Sequence, residues 1–165
     1  PLQRLLRGWR PCRAIETLHD RGVVHADIKP EHLIVRPDGT VVVLDLGLSR
    51  RPRHEAPRGL GLTPEFASPE QVLGEPVGFP ADVYALGLLL FEVIGGERQR
   101  VPWALGDIGL DLPTPPPPGS VWAALDASLA IVLRTATDAD PARRYPSAGA
   151  LVRALDAVLD ATAGA

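Results

Sequence analysis

The longest apolar stretch of the chain, residues 83–94, most strongly limits what the chain can fold into. Only Gly87 and Glu92 interrupt its aliphatic and aromatic side chains. The stretch is too short to cross a bilayer, which needs about 20 apolar residues in one helix. Because it is apolar on every side, it predicts a helix over residues 81–94 that is buried at the centre of a domain. The 165 residues of the chain are enough for one domain with such a core.

Two short apolar segments predict a β-hairpin earlier in the chain. Residues 33–35 and 41–44 are the predicted strands, and the Asp38-Gly39 pair between them is typical of a hairpin turn. Residues 41–44 read Val-Val-Val-Leu without alternation. This pattern predicts a second strand that is buried on both faces.

Outside the hairpin and the central helix, the hydrophobic pattern of the sequence mostly predicts further helices. Residues 11–21 have one apolar face and a stop signal at Gly22, but Pro11 leaves open whether residues 2–7 join the same helix. Three more helices are predicted from capping or amphipathic patterns, one starting after Ser68 and the others over residues 120–136 and 147–161. The predicted fold is therefore α+β and mainly α-helical, with one small hairpin.

Composition and charge exclude several classes of protein. The net charge of −3 argues against a nucleic-acid partner held by bulk electrostatics. Cys12 is the only cysteine, so no internal disulfide can form. Residues 1–10 lack an apolar core of signal-peptide length, and no segment is long enough to be a membrane span. We therefore expect a cytoplasmic location.

Three charged residues, Asp27, Lys29 and Asp45, are the strongest candidates for chemistry. Lys29 is the only lysine among 17 basic residues, which favours a position that needs a compact ammonium on a flexible stem. Asp45 follows the second strand, eighteen positions after Asp27, so the hairpin should bring the two loops together. Each aspartate alone is typical of an ordinary turn. Two carboxylates with one ammonium instead suit phosphoryl transfer from a nucleotide–metal complex.

Five motifs in order carry a resemblance to a known family. They are His25-x-Asp27-Ile28-Lys29-Pro30-Glu31, Asp45-Leu46-Gly47, Thr63-Pro64-Glu65-Phe66-Ala67-Ser68-Pro69-Glu70, Asp82-Val83-Tyr84-Ala85-Leu86-Gly87 and Asp140-Pro141-Ala142-Arg143-Arg144-Tyr145. The chain resembles the C-terminal lobe of a Hanks-type protein kinase, most closely the bacterial serine/threonine kinases. The resemblance implies one kinase-like domain over residues 1–165. Its parts would be a catalytic loop at 25–32, an Asp-Leu-Gly element at 45–47, an activation segment at 45–70 and C-terminal helices over 81–161.

The resemblance also implies roles for the residues of the site. Asp27 corresponds to the catalytic base, Lys29 to the lysine that contacts the transferred phosphate, and Asp45 to the aspartate that binds Mg²⁺. Ile34 corresponds to a residue that packs beneath the adenine of ATP. Lys29 favours serine or threonine as the acceptor in a protein substrate, as does Thr63 in the substrate-binding segment.

Four further residues have structural roles by the same resemblance. Glu70 and Arg144 correspond to a partly buried ion pair that ties the peptide-binding segment to the late helices. Asp82 corresponds to the residue that anchors the backbone of the catalytic loop. His25 corresponds to a histidine that packs and forms hydrogen bonds and does not take part in catalysis.

Three departures from the family pattern limit the expected activity. The N-terminal lobe, with its Gly-rich loop and ATP-binding lysine, is not found in these residues, so we expect a fragment of a longer kinase or the product of a truncated gene, inactive by itself. His32 replaces an asparagine that binds a second Mg²⁺; its imidazole suits Mn²⁺ better, unless His32 is a surface or packing residue. Ala26 replaces an arginine before Asp27, which predicts a non-RD kinase without activation by loop phosphorylation.

The predicted function is ATP-dependent transfer of a phosphoryl group to serine or threonine residues of proteins. The alternative is a pseudokinase, a binding or scaffolding module without turnover, and this alternative is favoured by Ala26, His32 and the missing lobe. A small-molecule phosphotransferase is a third reading. The Ser68-Pro69-Glu70 segment and Arg144 argue against it, because they match the peptide-binding apparatus of protein kinases.

Overall fold

The computed structural model of the chain describes residues 2–52, 65–95 and 127–163. Within these ranges the helices are α1 (Leu2–His19), α2 (Pro69–Leu73), α3 (Phe79–Gly95), α4 (Ala127–Ala136) and α5 (Ala148–Ala163). The strands are β1 (Leu33–Val35) and β2 (Val41–Val43), and short 3-10 turns occur at Pro30–His32 and Pro141–Arg143. The predicted class, α+β and mainly helical with one small hairpin, is confirmed. None of the helices in these ranges is long and apolar enough to cross a membrane.

Helix α3 is the centre of the fold, as its apolar sequence predicts. The side chains of Val83, Leu86 and Leu90 are fully buried, and α1, α4 and α5 pack around them. Gly87 explains how close α4 comes, because a Cβ added there would lie 2.7 Å from Cγ2 of Thr137. The buried central helix is thus confirmed, and it begins two residues earlier than predicted, at Phe79.

Helix α1 starts earlier than its local sequence signals suggest. The sequence predicts a helix over residues 11–21 and leaves open whether residues 2–7 belong to it; in the structure one helix runs from Leu2 and includes Pro11. A proline inside a helix costs about 3 kcal/mol because a backbone hydrogen bond is lost. Burial of Cys12 and Ile15, with Trp9 packed beside them, offsets this cost through tertiary contacts. The helix ends at His19, and Gly22 follows in the left-handed conformation at φ 72°.

Cys12 provides a test of how tightly α1 packs. Its side chain is fully buried, and burial raises the pKa of the thiol to about 12. Because the thiolate is the reactive species, we expect Cys12 in the folded chain to react with a disulfide reagent on the order of a hundredfold more slowly than in denaturant. Stopped-flow absorbance in mildly alkaline buffer measures both rates. Equal rates in the two conditions would show that α1 does not stay packed.

The hairpin has the predicted antiparallel pairing. Leu33 faces Val43 across the ladder and Val35 faces Val41. At the turn, the Thr40 N–H donates to the Asp38 carboxylate over 2.8 Å, and this hydrogen bond lowers the pKa of Asp38.

The predicted burial of the second strand on both faces is wrong. Residues 41–43 are only half-buried, and Leu44 is exposed. The reason is that, among the residues that the structure describes, the sheet has two strands and reaches the helical core where Leu33 and Val43 pack.

Candidate active site

The loop at residues 25–32 lies between a short β-bridge at Val24 and the hairpin. Val24 forms two backbone hydrogen bonds with Arg50, of 2.8 and 2.9 Å, as an isolated antiparallel bridge. The loop then enters the 3-10 turn Pro30–His32, which leads directly into β1. The segment that carries Asp45 leaves β2 and reaches the same bridge at Arg50. Both loops are therefore fixed at their ends.

Asp82 fixes the backbone of the loop at residues 25–32 from the centre of the domain. It lies near the start of α3, and its side chain is almost fully buried. One carboxylate oxygen accepts the His25 N–H at 2.7 Å, and the other accepts the Ala26 N–H at 2.8 Å. Two charge-assisted hydrogen bonds to successive amides hold this turn of the loop in one conformation.

His19 completes the buried shell around Asp82. Its Nδ1 accepts the Ala148 N–H at 2.9 Å, so the proton of the neutral ring is on Nε2, which donates to Asp82 at 2.9 Å. The ring also stacks on Phe79, with centroids 4.3 Å apart. The start of α5 is thus connected to the loop at residues 25–32 through the side chains of His19 and Asp82.

His25 connects the two loops of the site. It is fully buried; its Nδ1 accepts the Asp27 N–H at 3.2 Å, and its Nε2 donates to the Leu44 carbonyl at 3.1 Å. Leu44 immediately precedes Asp45, so one imidazole sets the spacing between the segments of the two aspartates. In this arrangement both ring nitrogens bind backbone groups.

The structure brings Asp27, Lys29 and Asp45 together around His32. Lys29 Nζ lies 3.0 Å from Oδ2 of Asp27. The imidazole of His32 stands between the two carboxylates, with Nδ1 3.4 Å from Asp27 Oδ2 and Nε2 3.6 Å from Asp45 Oδ2. The side chain of Asp27 is 9% exposed and that of Asp45 is 61% exposed. The site therefore has a sheltered carboxylate beside an ammonium and an open carboxylate at its rim.

The orientation of His32 follows from its strongest contact. Nδ1 lies 2.8 Å from the Asp27 carbonyl, which can only accept, so Nδ1 carries a proton. In the neutral ring, Nε2 then presents its lone pair toward the Asp45 carboxylate. A nitrogen and a carboxylate oxygen 3.6 Å apart can bind one cation together.

Asp45 lies at a turn whose conformation is fixed by its own side chain, which leaves one carboxylate oxygen open to a metal ion. Its backbone is in the left-handed conformation at φ 57°, and its Oδ1 accepts the Gly47 N–H at 3.1 Å. The described residues contain no group of three or more His, Cys, Asp or Glu side chains arranged to hold a metal. One open carboxylate still fits Mg²⁺, which usually takes one or two carboxylates and fills its remaining positions with water and phosphate oxygens.

Of the two residues predicted to contact the nucleotide and the protein substrate, Ile34 and Thr63, the structure describes only Ile34. Ile34 lies in the middle of β1 and is 49% exposed, and Leu46 beside Asp45 is also exposed. Both side chains are apolar and exposed, and each lies within two sequence positions of His32 or Asp45. Thr63 lies outside the described residues.

Glu70 and Arg144 form an ion pair that anchors α2 to the late turn. The pair is bidentate, with distances of 2.8 and 2.9 Å, and it is fully buried rather than partly buried as expected. Arg144 also donates to three carbonyl oxygens, those of Pro80, Asp138 and Ala139. All five N–H groups of the guanidinium are therefore used.

Sequence reasoning missed two residues near the site, His19 and Gln71. Gln71 is buried in α2, and its Nε2 donates to the Ala26 carbonyl at 2.7 Å. The spacing Ser68-x-x-Gln71 is the signature of a capping box and could have identified it. His19 has no comparable local signal, because its partners lie 63 and 129 positions away.

A helical domain that presents an aspartate, a lysine and a second aspartate beside one hairpin fits the class of phosphoryl-transfer proteins. The family model for the protein kinase domain matches residues 9–104. The chain belongs to the protein kinase family.

Similarity to bacterial serine/threonine kinases extends beyond that match. The chain is 38% identical to serine/threonine-protein kinase Pkn1 of Myxococcus xanthus, over 90% of this chain and 23% of that protein. It is 31% identical to serine/threonine-protein kinase PknA of Mycobacterium tuberculosis, over 88% of this chain and 34% of that protein. A probable serine/threonine-protein kinase PknB of Corynebacterium glutamicum is 30% identical, over 83% and 23% respectively. The chain thus spans between 23% and 34% of the length of these relatives.

Proposed function

We propose that this chain supplies the catalytic loop and peptide-side half of an ATP-dependent kinase that phosphorylates serine or threonine residues of proteins. The observation that carries the proposal is the pairing of a sheltered Asp27 carboxylate with Lys29 Nζ at 3.0 Å, on a loop whose backbone is held by Asp82. Such positioning matters because phosphoryl transfer depends mainly on geometry and charge.

Asp27 and Lys29 would divide the work of the transfer. The Asp27 carboxylate would orient the acceptor hydroxyl and accept its proton as the oxygen bonds to the γ-phosphorus. The bond from that phosphorus to the β–γ bridging oxygen breaks in the same step, and ADP leaves. Lys29 would leave Asp27 and neutralise charge on the phosphoryl group in transit. Its ammonium is partly exposed and sits on a flexible stem, which suits such a movement.

The nucleotide would lie against the open side of the site. Ile34 would support the adenine, and Asp45 would hold a divalent ion, with His32 Nε2 as a second ligand. When bound, the ion would neutralise the phosphate oxygens of ATP. The proposed acceptor, serine or threonine, rests on Lys29 and Thr63 as matches to the family pattern.

His32 makes the choice of metal testable. Because imidazole nitrogen is a poor ligand for Mg²⁺ and a better one for Mn²⁺, we expect higher activity with Mn²⁺ than with Mg²⁺. His32→Asn replaces the nitrogen by an amide oxygen and should shift the ratio of the two activities toward Mg²⁺ by about tenfold. The ratio is measured at saturating ATP. An unchanged ratio would remove His32 from the metal site.

The alternative function is a binding or scaffolding module without turnover. Ala26 and His32, which depart from the family pattern on either side of Asp27, favour it. The deciding experiment uses a protein that contains this chain together with its natural flanking segments. Radiolabelled ATP, a generic protein substrate and either Mg²⁺ or Mn²⁺ are supplied, and phosphoserine and phosphothreonine are quantified. Label on these residues supports the kinase, whereas ATP binding without label supports the module.

A further inference from the structure

Ala26 has a backbone conformation that its side chain disfavours. Its φ is 66°, in the left-handed region, where a residue with a Cβ is strained. Asp45 is the only other non-glycine residue in the described ranges with a positive φ. Ala26 directly precedes Asp27, so the conformation of Ala26 sets the direction in which the Asp27 side chain leaves the backbone. Such a conformation persists only where contacts from the surrounding structure stabilise it.

Two side chains hold Ala26 from opposite sides. The Asp82 carboxylate accepts the Ala26 N–H at 2.8 Å, and Gln71 Nε2 donates to the Ala26 carbonyl at 2.7 Å. That carbonyl belongs to the planar peptide unit that also contains the Asp27 nitrogen. The other end of the same unit is the Asp27 N–H, which donates to His25 Nδ1. Gln71 and His25 therefore fix the plane of the peptide bond that carries Asp27.

Gln71 is itself held in one orientation. Its Oε1 accepts both the Ser68 N–H and the Ser68 hydroxyl, each at 3.0 Å. A backbone N–H can only donate, so the amide oxygen must face Ser68 and the amide nitrogen must face Ala26. Ser68 and Gln71 are both buried, so water cannot easily replace these contacts.

We infer that Gln71 is a positioning residue for Asp27, and that through it the first turn of α2 controls the geometry of the catalytic loop. The residue before it, Glu70, forms the buried ion pair with Arg144. One turn of helix thus connects the segment between α4 and α5 to the peptide bond that orients the proposed base. The kinetic part of this inference rests on the proposed function, whereas the conformational part does not.

The conformational part is tested without ATP by hydrogen exchange on the chain. Gln71→Glu keeps an oxygen for Ser68 but removes the donor to Ala26. We expect the Ala26 and Asp27 amides to exchange about tenfold faster, while amides in the middle of α3 keep their protection. Val72→Glu adds the same charge on the exposed face of α2 and should leave both amides unchanged. Unchanged exchange in Gln71→Glu, or equal effects of the two variants, would overturn the inference.

Two further variants keep the test decisive. If Gln71→Glu does not fold, Gln71→Met removes the donor to Ala26 without adding charge, although it also removes the acceptor for Ser68. Faster exchange of the Ala26 and Asp27 amides is again expected. In an Ala26→Gly background the left-handed conformation carries no strain, so loss of the Gln71 donor should accelerate exchange less than in wild type. An undiminished effect in that background would refute the link to the strained residue.

The kinetic part is tested in a protein with phosphoryl-transfer activity. Gln71→Glu should lower kcat about tenfold and leave the KM for ATP unchanged, since only the orientation of Asp27 is lost. A rise in KM with constant kcat would contradict the positioning role. If no activity is found in wild type, the proposed function fails, and the exchange result still decides whether Gln71 holds the loop.

Discussion

Replacing Arg144 with methionine is expected to lower the free energy of unfolding by about 3–5 kcal/mol. The guanidinium makes five hydrogen bonds, and its side chain is completely buried. Methionine leaves the Glu70 carboxylate buried without its countercharge, and this uncompensated charge accounts for most of the loss. Urea unfolding followed by circular dichroism measures the change.

Three comparison variants show whether the loss comes from the buried charge. Arg143→Met removes a neighbouring arginine whose side chain is 73% exposed, and it should cost less than about 1 kcal/mol. Arg144→Lys should also destabilise strongly, because an ammonium cannot reproduce the bidentate pair. The double variant Glu70→Leu/Arg144→Met should be more stable than Arg144→Met alone. A double variant as unstable as the sum of two single losses would contradict a dominant charge effect.

Asp27→Asn is expected to lower kcat for phosphoryl transfer by about 10²–10⁴-fold, if the proposed function holds. Asparagine keeps the shape of the side chain and can still contact Lys29, but its amide cannot accept the hydroxyl proton. The KM for ATP should change little, because Asp27 acts on the acceptor. Steady-state kinetics in a protein that contains this chain would measure both quantities.

The matched control for this substitution is Asp20→Asn, which makes the same chemical change at an exposed position after α1. It should leave kcat unchanged. Both variants should unfold close to the wild-type denaturant midpoint, which shows that the loss is not a folding defect. Full activity in Asp27→Asn would remove Asp27 from the role of proton acceptor.

The fold could be predicted where the local pattern and the tertiary structure agree. The central helix was predictable because residues 83–94 are apolar on all sides. The hairpin was predictable because an Asp-Gly pair such as Asp38-Gly39 between two apolar segments is typical of a hairpin turn. The start of α1 stayed open between two alternatives, because the helix-breaking tendency of Pro11 is outweighed by burial of its neighbours, which only the tertiary structure shows. The prediction that residues 41–43 are buried on both faces failed for a different reason. The hydrophobic pattern of one strand does not show how many other strands the sheet contains.

In the site, too, contacts set by nearby residues could be predicted from the sequence, and contacts between distant residues could not. That Asp27 and Asp45 approach each other follows from the hairpin between them, and the structure brings them together around His32. The support of the loop was only partly predictable. Asp82 could be identified by resemblance, but the contact from Gln71 to Ala26 spans 45 positions and depends on how α2 packs. Short-range patterns carry no information about such distances.

The hydrogen bond between His19 and Ala148 has a consequence for the order of assembly during synthesis. During synthesis the first residue of α5 follows His19 by 129 positions, so the loop at residues 25–32 is made well before α5. Until α5 is in place, His19 Nδ1 lacks the Ala148 N–H that fixes the orientation of the ring toward Asp82. We therefore expect the hydrogen bonds around Asp82 to be completed only when the C-terminal helix packs, late in folding.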